Sequence, residues 1–212
     1  MGGFFQVPSD LQHSYSGLIA WHLQLALLPV LFGLLVALPV GQLCARYRWL
    51  YPPVLGVATA FYAIPSVAFF IVLIDWTGES STTVMIPLTV YTLVVLIPAI
   101  IDGVRSVPEE THAAATAMGF GSARRFLQVD LPIAVPAIVA GLRVATVSSI
   151  SLVSVGALIG DQGALGNLLE DANLYHRPIL AWSSVITTAV LAILIDGLLV
   201  LLRRLLTPWA AR

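Results

Sequence analysis

Five long apolar segments alternate with short polar stretches along the chain. They run over residues 18–43, 54–74, 84–101, 133–159 and 179–202, and most charged side chains lie at or beyond their ends. A bilayer hydrocarbon core is crossed by about 20 apolar residues in a helix, within a range of about 17–25. The pattern therefore predicts an all-α, polytopic membrane protein with about five transmembrane helices.

The polar stretch between the third and fourth apolar segments has helix signals of its own. Glu109 and Glu110 would lie in a first turn, where negative charge is favourable, and residues 113–117 are rich in alanine, which has the highest helix propensity. Gly119 can adopt the left-handed conformation that ends a helix. We expect a short helix within residues 108–119, which is too short and too polar to cross a bilayer.

Composition agrees with a membrane protein. The chain has 212 residues, of which 58% are hydrophobic and 10% are charged, and its mean hydropathy is +0.94. Soluble domains are about 45–50% apolar and about 25% charged. We expect a single transmembrane domain over residues 1–212. Proline within the apolar segments predicts kinks in several helices, at Pro29, Pro39, Pro65, Pro87 and Pro98.

The distribution of arginine predicts the orientation. With five spans, Arg177 is the one basic residue on the side opposite the polar stretch. Cytoplasmic loops are enriched in basic residues, so the N-terminus is predicted outside, and the polar stretch and the C-terminus in the cytoplasm. The basic residues on the predicted cytoplasmic side are Arg46, Arg48, Arg105, Arg124, Arg125, Arg203, Arg204 and Arg212.

The residue types argue against chemistry within this chain. All ten basic residues are arginine, so a P-loop with its Gly-Lys-Ser/Thr sequence is excluded from the sequence, and any ATP would be bound by a partner polypeptide. Cys44 is the single cysteine, and the four histidines show no metal-ligand spacing. We expect no catalytic residues, no metal and no cofactor bound by this chain.

Two charged residues interrupt apolar segments. Arg143 lies about ten residues into the fourth segment, and Asp196 lies about two turns before the end of the fifth. Charge inside a bilayer is costly and is usually paired or functional. Two interpretations stay open: the residues lie near the inner interface, where arginine can extend to water, or they form an intramembrane ion pair that takes part in gating.

The polar stretch resembles the EAA loop of bacterial ABC importer permeases, here residues 107–132. Ala114, Ala115, Gly119 and Leu131-Pro132 occupy matching positions. Two positions depart from the family pattern: Val129 replaces an isoleucine, and Ala113 replaces a glutamate. In that family this loop forms a coupling helix that docks on the cytoplasmic ATPase. The resemblance assigns ATPase coupling to Glu109, Glu110, Ala113, Ala114, Ala115, Gly119, Arg124, Arg125, Leu131 and Pro132.

Further motifs are similar to permeases of the glycine betaine/carnitine/choline/proline osmoprotectant family. They are residues 63–66 (AIPS), 104–108 (VRSVP), 141–143 (GLR), 157–160 (ALIG) and 163–166 (GALG). The resemblance implies a multi-pass protein of the bacterial cytoplasmic membrane that imports these solutes by alternating access. It implies as partners ATPase subunits carrying ATP and Mg, an extracytoplasmic substrate-binding protein, and a second permease subunit, identical or paralogous. No nucleic-acid partner is expected.

Aromatic and hydroxyl side chains in two apolar segments are candidates for the translocation path. An aromatic stripe at helical spacing is also typical of simple packing, so both interpretations stay open. The candidates are Phe61, Tyr62, Pro65, Ser66, Phe69, Ser148 and Ser151.

Two other functions remain as alternatives. A methionine-type or other amino-acid ABC permease would share the span number and the loop, and its binding protein would distinguish it. An ATP-independent secondary carrier usually has more spans and internal repeats, and this sequence shows no repeat.

Overall fold

The computed structural model describes residues 14–156 and 164–210. Within these two ranges the chain forms nine α-helices and no strand, which confirms the predicted all-α class. A π-helical turn, Phe126–Asp130, leads directly into the seventh helix. The helices are α1 (Tyr15–Arg46), α2 (Tyr51–Tyr62), α3 (Ser66–Thr77), α4 (Ser81–Arg105), α5 (Glu109–Ala117), α6 (Ser122–Arg125), α7 (Leu131–Gly156), α8 (Asn167–Leu174) and α9 (Pro178–Leu206).

Four predicted spans correspond to long helices. The first, third and fifth apolar segments lie within α1, α4 and α9, and the fourth corresponds to α7 with the short helical turns before it. The end of the fourth segment, residues 157–159, lies outside the described residues, as do the motif 157–160 and Gly163.

The second predicted span, residues 54–74, is not one helix. The chain forms α2 and α3 instead, and the two are bent by 88° at residues 63–65. Pro65 lacks a backbone N–H and its ring excludes a continuing helix, so it becomes the residue that precedes α3. The predicted kink at Pro65 is confirmed, and the bend divides the second predicted span into two helices.

Helices α1, α4 and α7 form the buried centre of the molecule. Fully buried side chains from all three meet there, including Ala37, Ile100 and Ala134. Small residues let the helices approach closely, because a side chain at Gly141 would overlap Ala99 across the contact between α4 and α7. Helix α9 packs on the outside of this centre, and of its residues Ser184 alone is buried.

The direction of each helix follows from which residues meet. Gly33 lies against Thr92 and Gly41 against Ile100, so α1 and α4 run in the same direction. Both therefore end at the same membrane face. The chain between them must cross the membrane once, and the bent α2–α3 pair makes that crossing.

The remaining helices complete a topology of five crossings. Gly141 lies against Ala99 and Gly156 against Val84, so α7 runs opposite to α4. Arg143 contacts Asp196, and Ser154 shares a groove with Ser184, so α9 runs opposite to α7. Residues at the ends of α1 and α4 and in α6 line one cavity, so they share a face. The bias of arginine toward that face makes it cytoplasmic, with the N-terminus outside.

Candidate coupling face and translocation path

Helix α5 lies in the polar stretch, as predicted for residues 108–119. Pro108 precedes its first residue, and Glu109 and Glu110 occupy the first turn. Gly119 has a φ of +80°, so it adopts the left-handed conformation expected of a helix-ending glycine. The helix therefore begins and ends for the reasons that the sequence indicates.

One face of α5 is open to solvent. Glu109, Glu110, Ala113 and Ala114 are all exposed, and their spacing places them on adjacent rows of the helix, whereas Ala115 is buried. We call these four exposed residues the α5 outer face. It consists of two alanines and two glutamates, and its small side chains suit close docking against another protein.

The predicted residues beyond Gly119 continue toward the membrane. Arg124 is exposed, donates a hydrogen bond from Nε to Gln128 at 3.0 Å, and places its guanidinium 4.5 Å from the ring centroid of Phe120. Leu131 and Pro132 open α7. The loop therefore leads directly from the α5 outer face into a membrane-spanning helix.

Sequence reasoning missed a buried carboxylate that joins α5 to α7. Asp130, only 5% exposed, lies 3.1 Å from Nε2 of His112 on α5 and 3.7 Å from Nε of Arg125 on α6. We call these three residues the Asp130 cluster. Asp130 ends the π-helical turn before α7, and such turns are frequent at functional sites. The sequence feature that could have identified Asp130 is an acidic residue immediately before an apolar helix.

Four aromatic rings meet at the bend between α2 and α3. Phe61 and Phe69 are stacked with centroids 6.1 Å apart, and Tyr91 of α4 meets Tyr62 at 5.5 Å and Phe69 at 6.0 Å, both edge to face. These separations fall within the range of favourable aromatic pairs. The structure thus brings the three predicted aromatic residues together and adds Tyr91.

Tyr91 also explains how the bend is tolerated inside a membrane. Its hydroxyl donates a 2.8 Å hydrogen bond to the carbonyl of Ile64, within the break. Backbone groups freed by a broken helix must find partners, because hydrocarbon offers none. Two predicted path residues lie at this break: Pro65 precedes α3 and Ser66 begins it. Neither residue lines the crevice between the aromatic rings and α7.

A narrow crevice connects the aromatic rings to α7. Tyr62 and Ser148, both predicted for the path, line it together with Tyr91 and Ser149. Its volume is about 10 Å³, which holds about one water molecule. The crevice is therefore closed to any organic solute in this conformation, and the helices must separate to admit one.

Ser151 lies at a different place from Ser148. It lines a groove of about 370 Å³ between α7 and α9, with Ser154 on the same helix and Ser184 and Thr188 opposite. Ser184 donates a hydrogen bond to the carbonyl of Leu165, 2.7 Å away. The two predicted serines thus belong to two separate surfaces of α7.

Arg143 and Asp196 are partners. The guanidinium donates two hydrogen bonds, from Nε to Oδ1 at 2.6 Å and from a terminal nitrogen to Oδ2 at 2.7 Å. Both side chains remain about one-third exposed, at 34% and 30%. Arg143 is about 18 Å along α7 from Leu131 at 1.5 Å per residue, so its helix position is well away from the cytoplasmic end. The predicted pairing is therefore present, and a part of the pair in gating stays a prediction.

Comparison with known proteins identifies the family. Residues 29–212 match the family described as binding-protein-dependent transport system inner membrane component. The chain belongs to that family. It is therefore a permease subunit of an ABC importer in the cytoplasmic membrane, and the alternative of an ATP-independent carrier has no support from these similarities.

Relatives and solved structures agree with this assignment. The chain is 31% identical over 188 residues to the glycine betaine/carnitine/choline transport system permease protein OpuCD of Bacillus subtilis (strain 168), covering 88% of this chain and 82% of OpuCD. It is 31% identical over 196 residues to the osmoprotectant import permease protein OsmW of Salmonella typhimurium, covering 90% and 91% of the two chains. The resemblance to osmoprotectant permeases drawn from the motifs is confirmed.

The fold has a solved counterpart. A chain of the inward-facing MetNI methionine ABC transporter in its CY5 native crystal form superposes with a TM-score of 0.79, covering 94% of this chain and 99% of that chain. Their sequences are 19% identical, so the likeness establishes the type I ABC importer permease fold and nothing about the solute.

Proposed function

We propose that this permease imports quaternary-amine osmoprotectants, of the class of glycine betaine, choline and carnitine, together with proline. The observation that carries the proposal is the 31% identity over 88% of the chain to a permease named for the first three of these solutes. A substrate-binding protein outside the membrane delivers the solute. ATPase subunits in the cytoplasm hydrolyse ATP with Mg and drive alternating access.

The α5 outer face is the docking surface for the ATPase in this proposal. It is exposed, it lies on the cytoplasmic side, and its alanines permit close approach. The Asp130 cluster carries the movement onward, because it ties α5 to the start of α7. Helix α7 in turn holds Ser148 at the crevice and Arg143 in the ion pair.

The aromatic rings around the α2–α3 bend supply a surface that suits the solute. A quaternary ammonium is attracted to the faces of aromatic rings, and the attraction strengthens as water is removed. Tyr62 is 52% exposed and Phe61 is 42% exposed, so part of each residue's surface is accessible in this conformation. The path would then run between Tyr62 on the bend and Ser148 on α7.

A second permease subunit, identical or paralogous, is part of the proposal. Ser184 is the one buried residue of α9, and the Arg143–Asp196 pair, to which α9 contributes Asp196, is one-third exposed. A charged pair facing hydrocarbon is costly, so this face is better explained by contact with a partner subunit or with a water-filled path. The exposed large apolar residues of α9, such as Ile179, Ile193 and Leu205, face the lipid or that partner.

The test is ATP hydrolysis by the complex reconstituted in nanodiscs with its ATPase and binding protein. Titration with glycine betaine, choline, carnitine or proline should raise the rate in a saturable way. Stimulation by methionine alone would keep the architecture and overturn the solute class. The test variant is Ala114→Arg, which places a large charged side chain on the α5 outer face. The matched control is Gly197→Ala, which changes an open position of α9. We expect the first to abolish stimulation and the second to leave it intact.

A further inference from the structure

A basic cleft lies at the cytoplasmic face. It has a volume of about 460 Å³, and four guanidinium groups converge on it from separate segments. Arg46 ends α1, Arg48 lies in the turn before α2, Arg105 ends α4, and Arg125 lies in α6. We call this space, lined by these four residues, the arginine cleft.

The carboxylates at the cleft leave most of this positive charge uncompensated. Asp130 is already engaged by Arg125 and His112. Glu109 contributes a side chain that is 94% exposed and lies nearest to His112. Arg46, Arg48 and Arg105 have no carboxylate within ion-pair distance in the described part of the chain.

Two of the unpaired guanidiniums are held in place by neutral groups. Arg105 lies over the ring of Tyr51, with its carbon 5.8 Å from the centroid, and donates a hydrogen bond to the Cys44 carbonyl at 3.1 Å. Arg46 lies 5.4 Å from the ring centroid of Tyr47. Each guanidinium has five N–H donors, so most remain free for a ligand. Positioned arginines of this kind match the oxygens of a phosphate group.

The cleft lies at the level of lipid headgroups. It opens beside the turn between α1 and α2, where the chain leaves the membrane and re-enters it. Tyr47 is 44% exposed and Trp49 is 73% exposed in this turn. Exposed tyrosine and tryptophan concentrate at the membrane–water interface, so an occupant of the cleft is within reach of the inner leaflet.

We propose that the arginine cleft binds the phosphodiester headgroup of an anionic phospholipid of the inner leaflet. Basic pockets between transmembrane helices on the cytoplasmic side are suited to such headgroups. The bound phosphate meets Arg46, Arg48 and Arg105, and its acyl chains lie along the outside of α1 and α2. Because the cleft also contains His112, Arg125 and Asp130, the lipid stabilises the junction between α5 and α7.

The experiment measures lipid binding by the assembled transporter in a neutral detergent. Short-chain phosphatidylglycerol, phosphatidylcholine with the same chains, and inorganic phosphate are titrated separately, and bound lipid is counted by native mass spectrometry while the melting temperature is followed. Phosphatidylglycerol should bind and raise the melting temperature, and phosphatidylcholine should not. Phosphate as effective as phosphatidylglycerol would identify a free-anion site and overturn the lipid proposal.

Matched variants locate the binding. Arg46→Gln with Arg48→Gln removes two charges from the cleft, and Arg203→Gln with Arg204→Gln removes two at the cytoplasmic end of α9, where neither lines the cleft. At about 1 kcal/mol for each arginine, affinity for phosphatidylglycerol should fall about tenfold to thirtyfold in the first pair and remain within about twofold in the second. Equal losses would contradict a defined site.

Two further results would overturn the proposal. Loss of the ATPase subunit from the Arg46/Arg48 variant, with lipid binding unchanged, would mean that these residues dock the ATPase. If that variant fails to fold, Arg105→Lys keeps the charge and removes the planar fork. It should bind phosphatidylglycerol several-fold more weakly, and unchanged binding would count against the site.

Discussion

Replacing Gly41 by alanine tests how tightly α1 and α4 are packed. A Cβ at this position would lie 2.7 Å from Cγ2 and 2.9 Å from Cβ of Ile100, which is fully buried. The Cβ of Ile100 is attached to its backbone and cannot rotate away. Ordinary contact begins at 3.4 Å, so the two helices must separate by several tenths of an ångström at this point.

The expected cost follows from this overlap. Overpacking a well-filled interior costs about 1–3 kcal/mol. Alanine also gains about 1 kcal/mol of helix propensity over glycine, so the cost is measured against Gly197→Ala, where no atom lies within 4 Å of the added Cβ. For a chain of this length, the melting temperature of Gly41→Ala should lie about 2–10 °C below that of Gly197→Ala.

A third variant, Gly103→Ala, should have an intermediate melting temperature. A Cβ at Gly103 would lie 3.0 Å from both Cβ and the carbonyl oxygen of Ala134, a smaller overlap than at Gly41. Thermal unfolding of the purified permease in detergent should therefore rank Gly197→Ala as the most stable, then Gly103→Ala, then Gly41→Ala. Equal melting temperatures for all three would refute the close helix contacts described here.

The other predictions concern named polar contacts. Reversing the charge of Arg143 or Asp196 alone should reduce uptake, and Arg143→Asp with Asp196→Arg should restore part of it; a folded double variant without recovery rejects a functional pair. Asp130→Asn should raise the number of ATP molecules hydrolysed per solute imported, because α5 is held less firmly to α7; an unchanged ratio removes Asp130 from coupling. Tyr91→Phe should destabilise the protein by about 1–3 kcal/mol in thermal unfolding, since the Ile64 carbonyl loses its donor; an unchanged melting temperature shows that another group satisfies it.

Local sequence patterns predicted much of the fold. Four spans and the short helix α5 follow from long apolar runs, acidic first-turn residues and the glycine at 119, all of which act locally. Chain direction followed from the placement of arginine. These features depend on neighbours along the sequence, so one sequence is sufficient to predict them.

The size of the bend at Pro65 was not predictable, because the sequence indicates only a kink at this proline. Helix α1 continues through Pro29 and Pro39, yet Pro65 separates α2 from α3 by 88°. Residues 54–74 carry no charge, as is also true of the residues around Pro29 and Pro39, so the local sequence does not distinguish these cases. The bend is accommodated because Tyr91, 27 residues away, donates to the Ile64 carbonyl, and such a contact exists only in the folded chain.

The polar contacts of the candidate site also join residues that are far apart in the sequence. His112 and Asp130 are 18 residues apart, and Arg143 and Asp196 are 53 residues apart, so no spacing rule links them. The sequence identified Arg143 and Asp196 as unusual because each interrupts an apolar run. Asp130 lies at the edge of its helix, where a charge is ordinary, and its burial is a property of the fold.

Uptake of labelled glycine betaine into proteoliposomes distinguishes ATP-driven import of osmoprotectants from the alternatives. The vesicles contain the permease with its ATPase, ATP and Mg are enclosed on the ATPase side, and the binding protein is added outside. Accumulation against a gradient that requires ATP, the binding protein and an intact α5 outer face is the predicted result. Accumulation without the ATPase, or of methionine in place of glycine betaine, choline, carnitine and proline, would contradict it.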